Sequence, residues 1–257
     1  MGLFDIFKKK PEPQPEKQTL EVLLQKSAKE PAYRPEFYKR LLTDELVVVH
    51  QDIGLPEGVQ TLKEKTTIKL LTHPDGKIPV FTSKERIFDK GIVKVEVNYL
   101  QMKGEELFSL VKGATLLLNP YSDNSKELLP EEIEMILSGK ILSETSKTIT
   151  IKEETKVMLG QPTKYPTEVV NSLKILYGNK PEVNTAYLGW IYDPSSGDPA
   201  HYIFAIDAEG DFQSIAHETG FTIKQILNTG EIFDIIKVDK GGLSDYFVKR
   251  TTPFYKR

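Results

Sequence analysis

The chain has 257 residues, of which 39% are hydrophobic and 28% charged, a composition typical of globular proteins and not of disordered ones. Its 34 Lys and Arg against 37 Asp and Glu give a net charge of -3, which argues against nucleic acid as a partner because no positive excess meets the phosphates. The chain contains no cysteine, which excludes thiol nucleophiles, disulfides and thiolate metal sites.

Residues 1–17 are predicted to form an amphipathic and Pro-rich segment outside the folded body. Four apolar residues share one face of a predicted two-turn helix: Leu3, Phe4, Ile6 and Phe7. A helix this short needs a surface to support it, so we expect Leu3, Phe4 and Phe7 to dock on the protein. Weak contact with an anionic membrane surface is the alternative, since three lysines follow.

The location predicted for the chain is the cytoplasm. No window reaches the run of about 18 apolar residues that a transmembrane helix requires. The start also lacks the basic, apolar and cleavage regions of a signal peptide.

Residues 18–142 are predicted to form a first domain, whose early elements are two helices and a buried strand. Thr19 caps the first helix, Pro35 begins the second, and Leu46 to Val49 read as the strand. The turn 73–76 is expected to join strands 67–72 and 77–81 as a hairpin. Pro79 lacks an amide donor, which places its strand at a sheet edge.

The rest of this domain alternates between helices and strands. A capping-box spacing at Thr82 and Glu85 predicts a short helix, and the alternation of Val93, Val95 and Val97 predicts a strand. A helix ending at Gly113, a strand over 115–119 and a helix from 130 to 139 follow. This order predicts a mixed, partly parallel sheet with flanking helices.

Residues 155–257 are predicted to form a second domain, after a linker over 143–154. The apolar pattern reads strand, helix, strand, strand, helix and strand, with the second helix broken near Gly220. The order βαββαβ predicts a ferredoxin-like fold with an antiparallel sheet. Its uncovered face is expected to be an interface, closed by the aromatic tail with Tyr246 and Phe247, by the first domain or by a second copy.

The best candidate for a ligand site follows the strand over 115–119. Asn119, Tyr121, Ser122 and Asp123 stand between that strand and a helix, where α/β sheets place their ligands. The same residue types also suit a structural turn, and that interpretation is favoured.

The sequence carries no pattern for catalysis or for a cofactor. The hydrolase elbow, the nucleotide loop, the dinucleotide fingerprint and the HExxH motif are all absent. A dispersed site assembled from His201, Asp207, His217 and Glu218 stays a minor alternative. We therefore assign no catalytic residue, metal ligand or cofactor.

Three stretches of the chain carry a resemblance to a known family. Residues 79–83, 116–123 and 127–133 resemble the amino-terminal domain of the enhanced serine sensitivity family, SseB, and shorter matches at 165–166, 181–188 and 232–234 resemble its carboxy-terminal domain. The resemblance implies a bacterial cytosolic protein linked to serine tolerance, and it implies no catalytic residue or cofactor.

Three functions from different classes are compatible with the sequence. The first is a non-enzymatic binding or regulatory protein with a protein partner or a second copy of itself. The second is an amino-acid sensor that uses the ferredoxin-like domain, by analogy of fold alone. An enzyme with the dispersed histidine and carboxylate site is the third and least favoured.

Overall fold

The structure, a computed structural model, describes residues 18–51, 68–143 and 156–257. They fold into two five-stranded mixed sheets with flanking helices, which confirms the predicted α/β class. The predicted amino-terminal helix and nearly all of the predicted linker lie outside the described residues. No helix in the described ranges is long and apolar enough to cross a membrane.

The amino-terminal half, 18–143, surrounds the first sheet. Its helices are α1 (Leu20–Lys29), α2 (Arg34–Thr43), α3 (Gly104–Leu110), α4 (Pro130–Leu137) and α5 (Lys140–Ser143), with 3-10 helices at Pro31–Tyr33 and Lys84–Gly91. Its strands are β1 (Glu45–Val49), β2 (Ile78–Phe81), β3 (Tyr99–Lys103), β4 (Leu116–Leu118) and β5 (Lys126–Leu128). The order is β3-β1-β2-β4-β5, with β2 and β4 parallel and the other neighbours antiparallel.

Helix ends in this half follow the local chemistry of the sequence. The Thr19 hydroxyl accepts a hydrogen bond from the Val22 amide at 3.3 Å and so caps α1. Pro130 begins α4, and Gly139 follows that helix with a φ of +70°. Gly104 begins α3 where a Cβ would lie 1.7 Å from the Leu41 carbonyl oxygen, so only glycine lets the two helices approach this closely.

The prediction that Pro79 lies in an edge strand is wrong, because β2 lies between β1 and β4. Pairing of β2 with β1 covers only Val80 and Phe81. The next β1 carbonyl, that of Val49, accepts its hydrogen bond from the Leu71 amide at 2.9 Å. Pro79 therefore has no hydrogen bond to donate to β1. The predicted turn at 73–76 is present, but over the described residues 68–72 the predicted first strand of the hairpin is reduced to an isolated bridge between Leu70 and His50.

The alternation of valines at 93–97 is not a strand. Strand β3 begins at Tyr99, and the valine segment is irregular chain that lies over the outer face of the first sheet. Val93 and Val97 pack against that face, whereas Val95 is 70% exposed. The short helix predicted from the spacing of Thr82 and Glu85 is the 3-10 helix Lys84–Gly91, which has Ser83 and not Thr82 before its first residue and no side-chain capping hydrogen bond.

The carboxy-terminal half, 156–257, surrounds the second sheet. Its helices are α6 (Thr167–Gly178), α7 (Phe212–Lys224) and α8 (Leu243–Arg250). Its strands are β6 (Met158–Gly160), β7 (Val183–Tyr192), β8 (His201–Ala208), β9 (Phe233–Lys237) and β10 (Tyr255–Lys256). The order is β10-β7-β8-β9, and β6 also pairs with β7.

The βαββαβ order is present, but the sheet is not the antiparallel ferredoxin-like sheet that this order predicts. Strands β8 and β9 are parallel neighbours, since α7 carries the chain back to the end of the sheet where β8 began. In the ferredoxin-like arrangement another strand would separate them. Helix α7 also runs through Gly220 without the predicted break.

Each half has its own core, and the two halves are in contact. Helices α1 to α4 cover the inner face of the first sheet, and α6 and α7 cover one face of the second. Helix α2 packs on α7, and Ala32, from the 3-10 turn before α2, is buried in the core of the carboxy-terminal half. Tyr38 meets Phe221 edge to face, with ring centroids 6.1 Å apart. The boundaries 18–142 and 155–257 stay predictions.

Candidate functional site

Asn119, the first residue of the predicted ligand site, is a buried link between two strands. It follows β4 with a φ of +49°, a conformation that asparagine tolerates better than most residues. Its Oδ1 accepts from the Thr82 amide at 2.9 Å, and its Nδ2 donates to the Thr82 hydroxyl at 2.9 Å. The side chain therefore joins the carboxyl ends of the parallel strands β2 and β4.

Ser122 and Asp123 also have intramolecular partners. The Ser122 hydroxyl is hydrogen-bonded to the Asp89 carboxylate. The Asp123 carboxylate lies 2.7 Å from the Lys90 ammonium, whose hydrogen bond lowers the pKa of Asp123 below its usual value. These contacts support the structural interpretation of the turn, and ligand binding by these residues stays a prediction.

Tyr121 lies in a different setting, on the outer face of the first sheet. Its ring centroid is 5.5 Å from that of Phe81 and 6.0 Å from that of His73. The three rings line a cavity of about 210 Å³. The remaining walls are mainly apolar, from Val49, Leu71, Thr72, Pro74, Pro79, Ile87, Val93 and Val97.

The predicted interface residues of the tail cover the second sheet from within the same chain. Helix α8 places Phe247, fully buried, against Tyr187, with Tyr246 beside it. Gly189 makes room for this ring, since a Cβ there would lie 2.8 Å from Phe247 Cε1. Leu3, Phe4 and Phe7 lie outside the described residues.

The histidines and carboxylates of the alternative dispersed site do not meet. His201 pairs with Asp234, with Nε2 and Oδ2 3.1 Å apart, and His217 contacts Gln213 at 2.8 Å. Among the described residues, no group of three or more histidines and carboxylates is placed to hold a metal ion.

A second candidate site, which was not predicted from the sequence, lies between the two halves. It is a cavity of about 380 Å³. Its lining residues come from α2, from α4, α5 and the turn between them, and from the start of α7: Tyr38, Lys39, Leu42, Ile136, Gly139, Ile141, Leu142, Asp211, Gln213, Ser214 and His217. Cavities of this size between packed units are common places for small ligands.

Two opposite charges in this cavity lie next to Ser214. The Lys39 ammonium is 3.5 Å from the Ser214 hydroxyl. The Asp211 carboxylate caps α7 and accepts from the Ser214 amide at 3.2 Å. The lining of the cavity therefore includes one cation and one anion that share Ser214 as a neighbour, while Leu42, Ile136 and Ile141 give it apolar walls.

A buried carboxylate, Glu218, lies directly behind Lys39. Its side chain is 2% exposed and forms ion pairs with Lys39 of the amino-terminal half and with Lys180 of the carboxy-terminal half. The distance from the Lys180 ammonium to Glu218 Oε2 is 2.6 Å. A buried charge requires such partners, so Glu218 connects the two halves.

Tyr38 adds a second polar contact at the wall of the cavity. Its hydroxyl donates to Glu132 at 2.9 Å, and Lys126 pairs with the same carboxylate at 2.9 Å. Burial, followed by the negative charge of Glu132, raises the pKa of Tyr38 well above its ordinary value. The phenol is therefore a neutral hydrogen-bond donor at physiological pH.

One signal for this site was present in the sequence. Glu218 stands three residues after Ile215 and three before Phe221, on the apolar face of its helix. A carboxylate at such a position indicates a buried and paired charge. The cavity itself depends on the packing of α2 on α7, which no local pattern encodes.

The chain is similar over nearly its full length to known proteins. The family model described as the SseB protein N-terminal domain matches residues 20–135, and the SseB protein C-terminal domain matches residues 151–257. The chain is 30% identical over 247 residues to Protein SseB of Escherichia coli (strain K12) and, equally, to Protein SseB of Shigella flexneri. These matches cover 94% of this chain and 93% of each relative. No solved structure matches the chain.

Proposed function

The chain belongs to the SseB family in both of its halves, and from this premise we propose that it is a non-enzymatic regulatory protein of the cytoplasm that binds an amino acid between those halves. The link to serine tolerance comes from the family and is part of the proposal. The observation that carries the proposal is that Lys39 and Asp211 line the same cavity and that each contacts Ser214.

The two charges match the two ends of a zwitterion. A bound amino acid would place its carboxylate at Lys39 and its ammonium group at Asp211, with hydrogen bonds from groups around Ser214. The Asp211 carboxylate is already held near its position by the Ser214 amide, which limits the entropy lost on binding.

The apolar walls of the cavity determine which side chain a bound amino acid should have. Leu42, Ile136 and Ile141 offer no hydrogen bond to a hydroxyl group. An amino acid with an aliphatic or aromatic side chain would bury its apolar surface there, at roughly 25 cal/mol per Å². Serine has little apolar surface to bury against these walls, so we expect leucine, isoleucine or phenylalanine to bind more tightly.

The position of the cavity supports a regulatory role. Its lining comes from both halves, so an occupant contacts α2 and α7 together. If a ligand binds one arrangement of the halves more tightly than another, it increases the population of the first arrangement. An amino acid there would change the surface that the protein presents to others.

The proposal is tested by thermal unfolding of the full chain with each of the twenty amino acids, followed by calorimetric titration. A ligand at 100 times its Kd stabilises by about 2.7 kcal/mol. Lys39→Met and Asp211→Asn, which retains a helix-capping side chain, should abolish that shift. Lys174→Met, at an exposed position on α6, is the matched control. A flat response to all twenty amino acids contradicts the proposal.

A protein partner or a second copy is the other candidate function, and one segment of the chain favours it. Phe88, Ile92 and Val95 are exposed in the amino-terminal half. Exposed apolar side chains in one segment are typical of an association surface. Sedimentation of the full chain should then show self-association that Val95→Asp abolishes, and a monomer at all concentrations contradicts the homo-oligomer.

A further inference from the structure

Glu218 has two lysine partners, and one of them borders the cavity between the halves. We propose that Lys180 holds Glu218 so that Lys39 is available to a ligand carboxylate, which makes the Lys39–Glu218 ion pair and an occupied cavity alternatives. This inference rests on the proposed function and adds to it the way in which binding is coupled to the contact between the halves.

The charges around Glu218 do not balance. One carboxylate meets two ammonium groups, so one positive charge exceeds what the buried anion requires. A buried carboxylate with a close ammonium partner is compensated, whereas one with none is strongly destabilising. One lysine is therefore necessary, and the second is surplus.

The exposure of the two lysines decides which one is surplus. The side chain of Lys180 is 13% exposed and does not line the cavity, whereas that of Lys39 is 44% exposed and does. A ligand in the cavity therefore reaches Lys39 alone. If Lys39 moves to a ligand, Glu218 keeps Lys180 at 2.6 Å and the Ser214 hydroxyl at 3.5 Å.

The exchange changes a contact between the halves, because Lys39 belongs to α2 and Glu218 to α7. Other contacts hold the halves together meanwhile. Arg34 donates to Gln225 at 2.5 Å, Glu30 accepts from the Ser172 hydroxyl, and Tyr38 packs on Phe221. We therefore expect an adjustment of α2 against α7 and not a separation of the halves.

The first test of the inference needs no ligand. Urea unfolding is measured for the full chain, for Lys39→Met, for Lys180→Met and for the double variant, with Lys174→Met as the control. The urea concentration at the unfolding midpoint should fall only slightly in each single variant. In the double variant it should fall by clearly more than the two single decreases added together. A Lys39→Met variant that loses as much as the double variant overturns the inference, because Lys39 would then not be surplus.

The second test uses L-leucine as the probe and L-leucinamide, which lacks the carboxylate, as its comparison. Lys180→Met should weaken leucine binding by about tenfold, although Lys180 lies outside the cavity, because Lys39 must then stay with Glu218. In the Lys180→Met background, Glu218→Gln removes the buried charge that Lys39 would otherwise have to neutralise, and it should restore leucine binding. Leucinamide should bind more weakly than leucine to the wild-type chain.

The outcomes separate the inference from the proposed function. Equal leucine affinity in wild type and Lys180→Met, or no rescue by Glu218→Gln, overturns the inference and leaves the proposed function standing. A wild-type chain that binds no amino acid overturns the proposed function and the part of the inference that concerns the ligand. The unfolding measurements still decide whether Lys39 is surplus.

Discussion

The two sheets differ in the cover of their second face. In the carboxy-terminal half, α8 places Phe247 on the face that α6 and α7 leave free, so that face becomes a second core. In the described part of the amino-terminal half, the outer face of the first sheet is covered by the 3-10 helix Lys84–Gly91, by Tyr121 and by irregular chain that includes Val93 and Val97.

The difference shows on which sheet the cover exposes apolar side chains. Among the described residues, the cover of the first sheet contains a cavity of about 210 Å³ beside Tyr121, and it exposes the side chains of Phe88 and Val95. The second sheet is closed by its own tail. The charged cavity between the halves belongs to neither sheet.

Phe247→Ala is expected to have the largest effect on this comparison. The ring is fully buried against the second sheet, so its loss should lower the free energy of unfolding by about 3 to 5 kcal/mol. Phe88→Ala, at a side chain 41% exposed on the first half, should cost less than about 1 kcal/mol. Urea unfolding measures both, and similar losses would mean that the two covers are equivalent.

Asn119→Ala should have the next largest effect. It removes two hydrogen bonds to Thr82 and places alanine at a φ of +49°, for a loss of about 2 kcal/mol. Asn119→Gly should recover the part that comes from the backbone. Unchanged or increased thermal stability of Asn119→Ala would contradict the structural role and favour the ligand role predicted from the sequence.

The loss of stability at alkaline pH should depend on Tyr177, which lies in the core between the second sheet and helices α6 and α7. Burial raises the pKa of Tyr177 well above its ordinary value. Above about pH 10 the phenol ionises in the unfolded chain and stays protonated in the folded one, so stability falls by up to about 1.4 kcal/mol per pH unit. Tyr177→Phe should show a shallower fall than wild type. The exposed Tyr192→Phe serves as the control, and a slope unchanged in Tyr177→Phe would be evidence against this contribution.

Val95→Ser should have the smallest effect. The side chain is 70% exposed on the outer cover of the first sheet, so the free energy of unfolding should change by less than about 0.5 kcal/mol. A larger loss, measured by the same urea titration, would show that this cover is as well packed as the one on the second sheet.

Elements with a strong local pattern were predicted well. The apolar run at Leu46 to Val49, the cap at Thr19 and the helix between Pro130 and Gly139 all lie where the sequence places them. Each depends on residues close together in the chain. The family assignment also followed from short motifs and is confirmed.

Features that depend on distant contacts were not predicted. Pro79 is tolerated in a central strand because the Leu71 amide donates to the Val49 carbonyl of β1, so no amide is required of Pro79. The parallel pairing of β8 with β9 depends on where α7 returns the chain. The cavity beside Lys39 depends on α2 and α7 meeting from opposite halves.

The most direct test of the central claim is an amide NMR titration of the full chain with L-leucine. The account predicts that the shifted resonances cluster at the cavity between the halves, at residues such as Leu42, Gln213 and His217, and that Lys39→Met removes these shifts. Shifts confined to the cavity beside His73 and Tyr121, or no shifts at all, would contradict it.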